Sequence, residues 1–452
     1  MALLSPTRDR VIPSPSAGIW PGLFTPPTAP LHAAAAKALV RHAVKNLPLS
    51  LQFPDGSSWG AGGPALQVLQ PQNLFARLGR DGLIGLGEAW MTGDVTAGGW
   101  LPSHPAGRKS QPDDATLINR ATDTLAAVLT ILAAHTRSLM PAALQKLRAL
   151  WERHTPSEEE NTQTQAQENI HRHYDLSNRL FELFLDPTMS YSSALYSEPI
   201  PSPSADDPAA TNTLEQAQLA KIDSVLDLAG VKSGSSVLEI GSGWGALAIR
   251  AAQRGATVTT LTLSVEQQDL ARQRISQAGL SDAIDVRLED YRAHAAGHHG
   301  DYDAVVSVEM IEAVGEKYWP DYFAALDRVL RPGGRVGLQA ITIGHNDFLA
   351  TRGAYTWVHK YIFPGGILPS LQAIDEVLRG TRLRVARSVR LGLSYVPTLA
   401  AWRHTFNRNL PEIHQAGFDD TFARMWNFYL AYSQAGFAAE YIDDWQLQLS
   451  RP

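Results

Sequence analysis

Residues 235–255, SSVLEIGSGWGALAIRAAQRG, constrain the fold more than any other stretch of the chain. A short apolar run, SSVLEI, passes into glycines at alternate positions, Gly241, Gly243 and Gly245, and then into GALAIRAAQRG, which has helical periodicity. The order is buried strand, tight turn, helix. Glycine in such a turn lets the chain reverse sharply and lets the backbone lie close to a ligand. The alternation then repeats. ATVTTLTL reads as a strand, VEQQDLARQRISQAG as a helix, AIDVRLED and YDAVVSVEM as strands, DYFAALDRVLRPGG as a helix closed by a Pro-Gly-Gly turn, and RVGLQAITI as a strand. That succession predicts an α/β unit: an open, mostly parallel sheet with helices on both faces.

The turn also selects among ligands. A dinucleotide-binding turn would read G-x-G-x-x-G and would be followed by an acidic residue at the end of the second strand. Here the pattern is G-x-G-x-G, and the second strand ends in Leu261-Thr262-Leu263-Ser264 without a carboxylate. No G-K-[ST] loop is present either, so NAD and ATP are disfavoured and another nucleoside cofactor is expected.

Composition narrows the classes further. The 452 residues suffice for two or three domains with their own cores. Absence of cysteine excludes disulfides, thiolate metal sites and a cysteine nucleophile. A net charge of −6 argues against nucleic-acid binding by bulk charge. We find no run of about 18 apolar residues and no secretory leader, so a cytoplasmic location is expected.

Along the chain, residues 1–30 are rich in Pro, Ser and Thr and read as a disordered or loosely docked arm. A front domain is expected over residues 31–157, a linker over 158–168, and the α/β domain over 169–452. The front domain opens with an alanine-rich helical stretch, Leu31 to Lys45. LPLSLQF, PDGSSWGAGGP and ALQVLQ then read as strands and tight turns. GLIGLGEAWMTGDV reads as sharp turns or close backbone approaches. From Thr116 to His154 the pattern is helical, with an interruption near Pro141. Its second half carries Arg137, Lys146, Arg148 and Arg153 beside an apolar stripe, which suits either an anionic membrane surface or packing on its own domain.

Glu239-Ile240-Gly241-x-Gly243-x-Gly245 resembles motif I of class I S-adenosylmethionine-dependent methyltransferases. HYDLSNRLFELFLDPTMSYSSALY, LEQAQLAKIDSVLDLAG, TLTLSVEQQDLA, VSVEMIEAVGEKYWPDYF, RVLRPGGR, VHKYIFPGGILPS and MWNFYLAYSQAGF together resemble the cyclopropane-fatty-acyl-phospholipid synthase family. The resemblance spans roughly residues 31–452. It implies a doubly wound, seven-stranded Rossmann-like methyltransferase domain preceded by a smaller α+β domain. It also implies S-adenosylmethionine as cofactor and a membrane phospholipid as substrate. Peripheral contact at the inner face of the membrane and a homodimer follow from the same source. Carried over by motif, Tyr191 and Ser192 approach the methionine part of the cofactor and Gly241 and Gly243 lie beneath it. Thr262, Leu263 and Gln267 face the ribose and adenine, and Asp290 and Tyr291 border the adenine. A buried strand end accounts equally well for Leu263.

The family holds a bicarbonate base with a cysteine, a glutamate, a histidine and a tyrosine. The matching positions here are Ser193, Glu312, Gln339 and Tyr395, so the cysteine and the histidine are replaced. The histidine that usually follows the glutamate is Ala313, and an extra carboxylate stands at Glu309. Two mechanisms stay open on these residues. In one, Ser193, Glu312, Gln339 and Tyr395 hold bicarbonate; in the other, Glu309 or Glu312 takes the proton directly. Either way the enzyme must present an alkene to the sulfonium methyl in a dry site, and must protect a carbocation until a methyl proton leaves. Immediate closure gives a cyclopropane. A prior hydride shift gives an exocyclic methylene, which a separate reductase would convert to a methyl branch. The E-M-I-E-A-V-G and LQAIT variants resemble the branch that makes 10-methylene or 10-methyl chains. The insertion HNDFLATRGAYTWVHKYIFPGGILPS, with Phe348, Tyr355, Trp357, Tyr361 and Phe363, is expected to wall an acyl channel. His298-His299 reads as an exposed loop, not a metal site.

Overall fold

The computed structural model describes residues 20–98, 100, 112–135, 178–201 and 210–452. The basic face from Arg137 to Arg153, the linker 158–168, the first 19 residues of the arm and the HYD triplet lie outside the described residues. Within the arm, Leu23 is buried and Trp20 donates from Nε1 to Asp419 Oδ2 at 2.9 Å, so the arm is docked at these two residues.

The α/β unit is built on a seven-stranded sheet. Its strands are β5 (Ser236–Ile240), β6 (Thr257–Thr262), β7 (Ile284–Leu288), β8 (Tyr302–Val308), β9 (Leu330–Ile343), β10 (Arg384–Arg390) and β11 (Ile442–Ser450), in the order β10-β11-β9-β8-β5-β6-β7. β5 runs parallel to both β6 and β8, whereas β11 lies antiparallel between β9 and β10. The sheet is covered on both faces, which is why β5 and β8 read as nearly continuous apolar runs. From β5 the chain steps outward to β6 on one side and later to β8 on the other. That reversal opens a crevice at the carboxyl ends of β5 and β8, where ligands of such sheets bind. The Pro-Gly-Gly sequence, expected to close a helix, instead lies inside the long strand β9, because the helix already ends at Val329.

In front of this unit sits a four-stranded sheet of β1 (Ser50–Gln52), β2 (Ser58–Trp59), β3 (Ala65–Val68) and β4 (Val95–Ala97), in the order β2-β1-β3-β4. The glycine-dense segment that follows β3 is a helix, Leu83–Met91, and only Gly82 and Gly93 at its ends turn with positive φ. Its inner glycines serve contact instead. A Cβ on Gly85 would lie 2.3 Å from the Arg77 carbonyl, and one on Gly87 would lie 2.3 Å from the Trp357 indole nitrogen.

The helix Pro112–Ala134 ties the two units together. Its stretch Ala115–Ala134 has a mean hydropathy of 1.3, long and apolar enough by composition to cross a bilayer. In the fold it packs against the helices Gly392–Arg408 and Asp420–Ala438. It also carries Asp123, which accepts from Arg403 at 2.5 Å and sits 2.8 Å from His404 Nε2. Arg403 is fully buried and spends its other terminal nitrogen on Gln434 at 2.5 Å. Arg424 lies over the rings of both Trp90 and Trp100, at 4.8 and 4.7 Å, and donates to the Trp90 and Val95 carbonyls. One apolar cluster runs through both units, from Leu49 and Trp90 to Trp402 and Trp426. Asp123→Asn should therefore cost about 3 kcal/mol, since it strands a buried guanidinium while the acid it replaces is partly exposed. Urea denaturation measures this, and a change under about 0.5 kcal/mol, as at an ordinary surface site, would contradict the assignment.

Candidate active site

The glycine turn leaves β5 with φ of +95° at Gly241, +47° at Gly243 and +88° at Gly245, values that side-chain-bearing residues rarely adopt. A Cβ on Gly241 would strike Met310 at 2.7 Å, whereas one on Gly243 would meet nothing within 4 Å. Gly243 thus faces open space at the mouth of the crevice, a cradle for a flat, polar ligand. Across it, Thr262 donates to Gln267 Oε1 at 2.9 Å, which fixes the amide and leaves its NH2 group to donate to ribose hydroxyls. Leu263 is half-buried beside them. Asp290 caps the helix Tyr291–Gly297 and pairs with Arg292 at 2.7 Å, so its carboxylate is already engaged. Tyr291 packs edge-on against Tyr322, and its hydroxyl is buried with no partner among the described residues. Tyr191 bonds Tyr429 through their hydroxyls at 2.9 Å, and Ser192 accepts from the Lys221 ammonium at 2.6 Å. These residues fit a nucleoside ligand lying over the turn.

Next to this cradle the structure brings the Gln339 and Tyr395 side chains and the Ser193 backbone onto Glu309, in an arrangement the sequence left open. Glu309 directly follows β8 with φ of +51°, a left-handed conformation that costs a non-glycine residue about 1–3 kcal/mol and is usually retained for function. Its Oε1 accepts from the Ser193 backbone N–H and from Gln339 Nε2, both at 2.9 Å, and its Oε2 accepts from the Tyr395 hydroxyl at 2.8 Å. Three of the four residues predicted to cage bicarbonate, Ser193, Gln339 and Tyr395, therefore donate to a carboxylate of the chain itself. Ser193 does so through its backbone, because its hydroxyl donates to the Ala194 carbonyl. Glu312 stands apart from that cage. One of its oxygens accepts from the Ile341 N–H at 2.6 Å, while Oε2, out of the reach of water, has no partner among the described residues.

Charge in this pocket is unevenly shared. Burial pushes the Glu309 carboxyl up, and the Ser193 N–H, the Tyr395 hydroxyl, the Lys221 charge and the Gln339 amide pull it back. Burial, then the charge of Glu309, push Glu312 up to about 8. Asp444, fully buried on β11, is pushed well above the carboxylate range by burial and by the charges of Glu309 and Glu312. Burial lowers the Lys221 ammonium, while Glu309, Asp186, Asp444 and Glu239 hold it up. Burial and the Glu309 charge also keep the Tyr395 phenol protonated, as its role of donor requires. Lys221 and Asp444 carry no motif of their own and escaped the sequence reading. One available signal was Gln218, Lys221 and Ser224 at intervals of three along the helix Ala210–Ala229.

Aromatic rings enclose the cluster. Tyr395 meets Phe437 at 4.4 Å and Trp402 at 6.0 Å, and Trp402 meets Tyr191 at 5.2 Å. The insertion contributes less of this wall than expected. Phe348 packs on Trp319 in the core of the α/β unit, Trp357 is buried against Phe428, and Tyr355 stacks on His359; Phe363 alone of the five reaches Tyr429. Tyr361 turns to the front unit, where its hydroxyl donates to Glu88 at 2.9 Å beside Lys360 at 2.6 Å. Seven residues beyond Lys360, Ile367 donates to the Glu312 carbonyl at 2.8 Å, so the same segment spans from the front unit to the site. His298 pairs with Asp301 and stacks on His294, and no group of three metal-binding side chains occurs among the described residues.

Comparison with known proteins agrees with this geometry. Residues 161–447 match the family described as mycolic acid cyclopropane synthetase. The tuberculostearic acid methyltransferase UfaA1 of Mycobacterium tuberculosis is 45% identical over 449 residues, 97% of each chain. The cyclopropane-fatty-acyl-phospholipid synthase of Escherichia coli is 35% identical over 280 residues, 62% of this chain and 66% of that one. Among solved structures, the cyclopropane synthase MmaA2 of M. tuberculosis superposes with a TM-score of 0.55 at 30% identity, covering 63% of this chain and 98% of its own. The mycolic acid cyclopropane synthase CmaA1, complexed with S-adenosylhomocysteine (SAH) and CTAB, gives 0.55 at 28%, with 63% and 98% covered. A glycine cradle beside a buried carboxylate cluster, on a sheet of this order, and a match over most of the sequence place the chain in the mycolic acid cyclopropane synthetase family of S-adenosylmethionine-dependent methyltransferases.

Proposed function

We propose that the chain methylates the cis double bond of an unsaturated phospholipid acyl chain and releases a methylene-branched product, with Glu309 as the base. Its end-to-end similarity to a tuberculostearic acid methyltransferase supports the branched product over the ring. The observation that carries the base assignment is the cage of Ser193 N–H, Gln339 Nε2 and Tyr395 hydroxyl closed on Glu309, which leaves bicarbonate without those donors. In this reading the enzyme works at the inner face of the membrane, and a separate reductase saturates its product.

Bound S-adenosylmethionine supplies an electrophilic methyl carbon to the π electrons of the alkene. The chain's own groups do the rest. Tyr191, Trp402 and Phe437 keep the reacting carbons dry and offer π density to the positive charge that develops on the acyl chain. After a hydride shift along that chain, Glu309 Oε2 takes a proton from the new methyl group, and the C–H electrons become the exocyclic double bond. Three donors favour the ionised carboxylate and burial raises its basicity, both of which a general base needs. Glu312, neutral at that pH, preserves the shape of the pocket without adding a second charge.

Glu309→Gln should lower turnover on vesicles of unsaturated phospholipid by about 100- to 10,000-fold while calorimetry still shows cofactor binding. Added bicarbonate should not restore it, and near-normal turnover would refute the assignment. Glu312→Gln should lose at least about tenfold less than Glu309→Gln, and the reverse ranking would move the base to Glu312. Product type is read by mass spectrometry. A gain of one CH2 that hydrogenation still reduces marks the methylene, and a gain that resists it marks the ring.

Glu312 also sets a pH dependence of stability. Its folded value, about 8, exceeds the ordinary 4.5, so between these values the native state holds a proton that the unfolded state has lost. Stability must then fall as pH rises through that window. Glu312→Gln removes the effect, and at pH 7 the variant should be more stable than the parent by up to about 3 kcal/mol. Equal slopes of denaturation midpoint against pH for the two proteins would contradict a neutral Glu312.

A further inference from the structure

We propose that Ser224 and Gln446 are positioning residues that fix which end of the Gln339 amide faces Glu309, and so hold the base in its ionised, working form. The proposal rests on the reading of Glu309 as the base.

A glutamine amide is nearly symmetric in shape, and only its partners decide its polarity. Gln339 is fully buried and uses both hydrogens of Nε2, one on Glu309 Oε1 and one on Asp444 Oδ2, each at 2.9 Å. Its Oε1 accepts from Gln446 Nε2 at 3.1 Å. Gln446, also fully buried, donates from the same nitrogen to the Lys221 carbonyl at 3.0 Å, and its Oε1 accepts from the Ser224 hydroxyl at 2.6 Å. A backbone carbonyl can only accept. The Lys221 carbonyl therefore forces the NH2 end of Gln446 inward, that end forces the oxygen of Gln339 toward it, and the NH2 of Gln339 is left to face the carboxylates. If Gln446 could not donate, the Gln339 oxygen would be a buried acceptor without a partner, and the amide would lose the anchor that holds its N–H on Glu309.

Sequence and topology produce the line directly. Gln446 on β11 lies opposite Gln339 on β9 in the antiparallel register, and Asp444 lies two residues along the same face. The helix Ala210–Ala229 covers that face and supplies Lys221 and Ser224 one turn apart. Asp444 shares the Gln339 donor without drawing charge from Glu309, because burial and the neighbouring carboxylates keep it neutral. The ionisable groups around Glu309 are Lys221 from this helix, Tyr395 from the helix Gly392–Arg408, Glu312 from the short helix Ile311–Val314, and Asp444 from β11. Asp186 and Glu239 bear on Lys221 behind them.

A donor that stabilises the ionised form of a base lowers its pKa, so losing it raises the pKa. The test is the pH profile of kcat/KM for the full-length chain on unsaturated phospholipid vesicles, in Gln446→Leu and Ser224→Ala. In Gln446→Leu the rising limb should move up by about one pH unit, with about tenfold lower activity at neutral pH, recovery at higher pH and unchanged S-adenosylmethionine binding. Ser224→Ala, at a half-buried hydroxyl, should shift the limb in the same direction by less. A uniform loss at every pH, or an unmoved limb in the variants that fold, overturns the relay. If Gln446→Leu does not fold, Ser224→Ala decides alone: its shift supports the relay and its absence overturns it. A Glu309→Gln enzyme that stays active would overturn the base reading, whereas an inactive one with unmoved limbs in the other variants would overturn the relay only.

Discussion

Keeping one negative charge out of water is the constraint on which the site depends. A carboxylate in the interior must be matched by donors and a counter-charge or it will take up a proton. Glu309 has both: three hydrogen bonds, and the field of the buried Lys221. Satisfying that charge explains why a left-handed backbone is tolerated at Glu309, why Ser193 turns its N–H inward, and why a glutamine stands on β9 where it can reach two acids at once. The other carboxyls nearby then give way. Glu312 and Asp444 remain protonated because one ammonium cannot offset three negative charges in a dry space.

The same dryness suits the reaction assigned to the site. A carbocation beside bulk water would be trapped as an alcohol, and a base beside bulk water would be weaker and less selective. Rings from distant parts of the sequence, Tyr191, Trp402, Tyr429 and Phe437, pack around Tyr395 and the carboxylate it serves. The interior is polar where the proton must go and apolar where the positive carbon must survive.

Much of this was legible in the residues before any coordinates. The strand–glycine–helix run predicted the sharp turn after β5, because glycine takes its backbone angles without strain. The motifs named Glu309, Glu312, Ser193, Gln339 and Tyr395. Pairwise chemistry was not legible. Which donors close on Glu309 depends on how β9, β11 and the helix Ala210–Ala229 meet, and those elements lie more than a hundred residues apart for some pairs. Lys221, Asp444 and Gln446 were missed for that reason, although alternating polar positions on β11 and a polar stripe of period three on the helix mark the face they share. Composition misled in two places. Glycines in GLIGLGEAWM suggested turns, yet they sit in a helix to admit the Arg77 carbonyl and the Trp357 ring; and the aromatic insertion spends most of its rings on ordinary packing.

Glu88 belongs to the front unit, but its carboxylate is shared among Arg77 of that unit and Lys360 and Tyr361 of the insertion. Its neighbour Gly87 is the only residue type that leaves room for the Trp357 ring. The two halves are therefore poor candidates for independent inheritance. A recombination event joining this catalytic half to a foreign front half would bring in an unmatched lock for three residues at once, and the insertion would lose its hold a few residues from Glu312. Drift at positions 87 and 88 should be answered by drift at 357, 360 and 361, so that lineages exchange both segments together or neither.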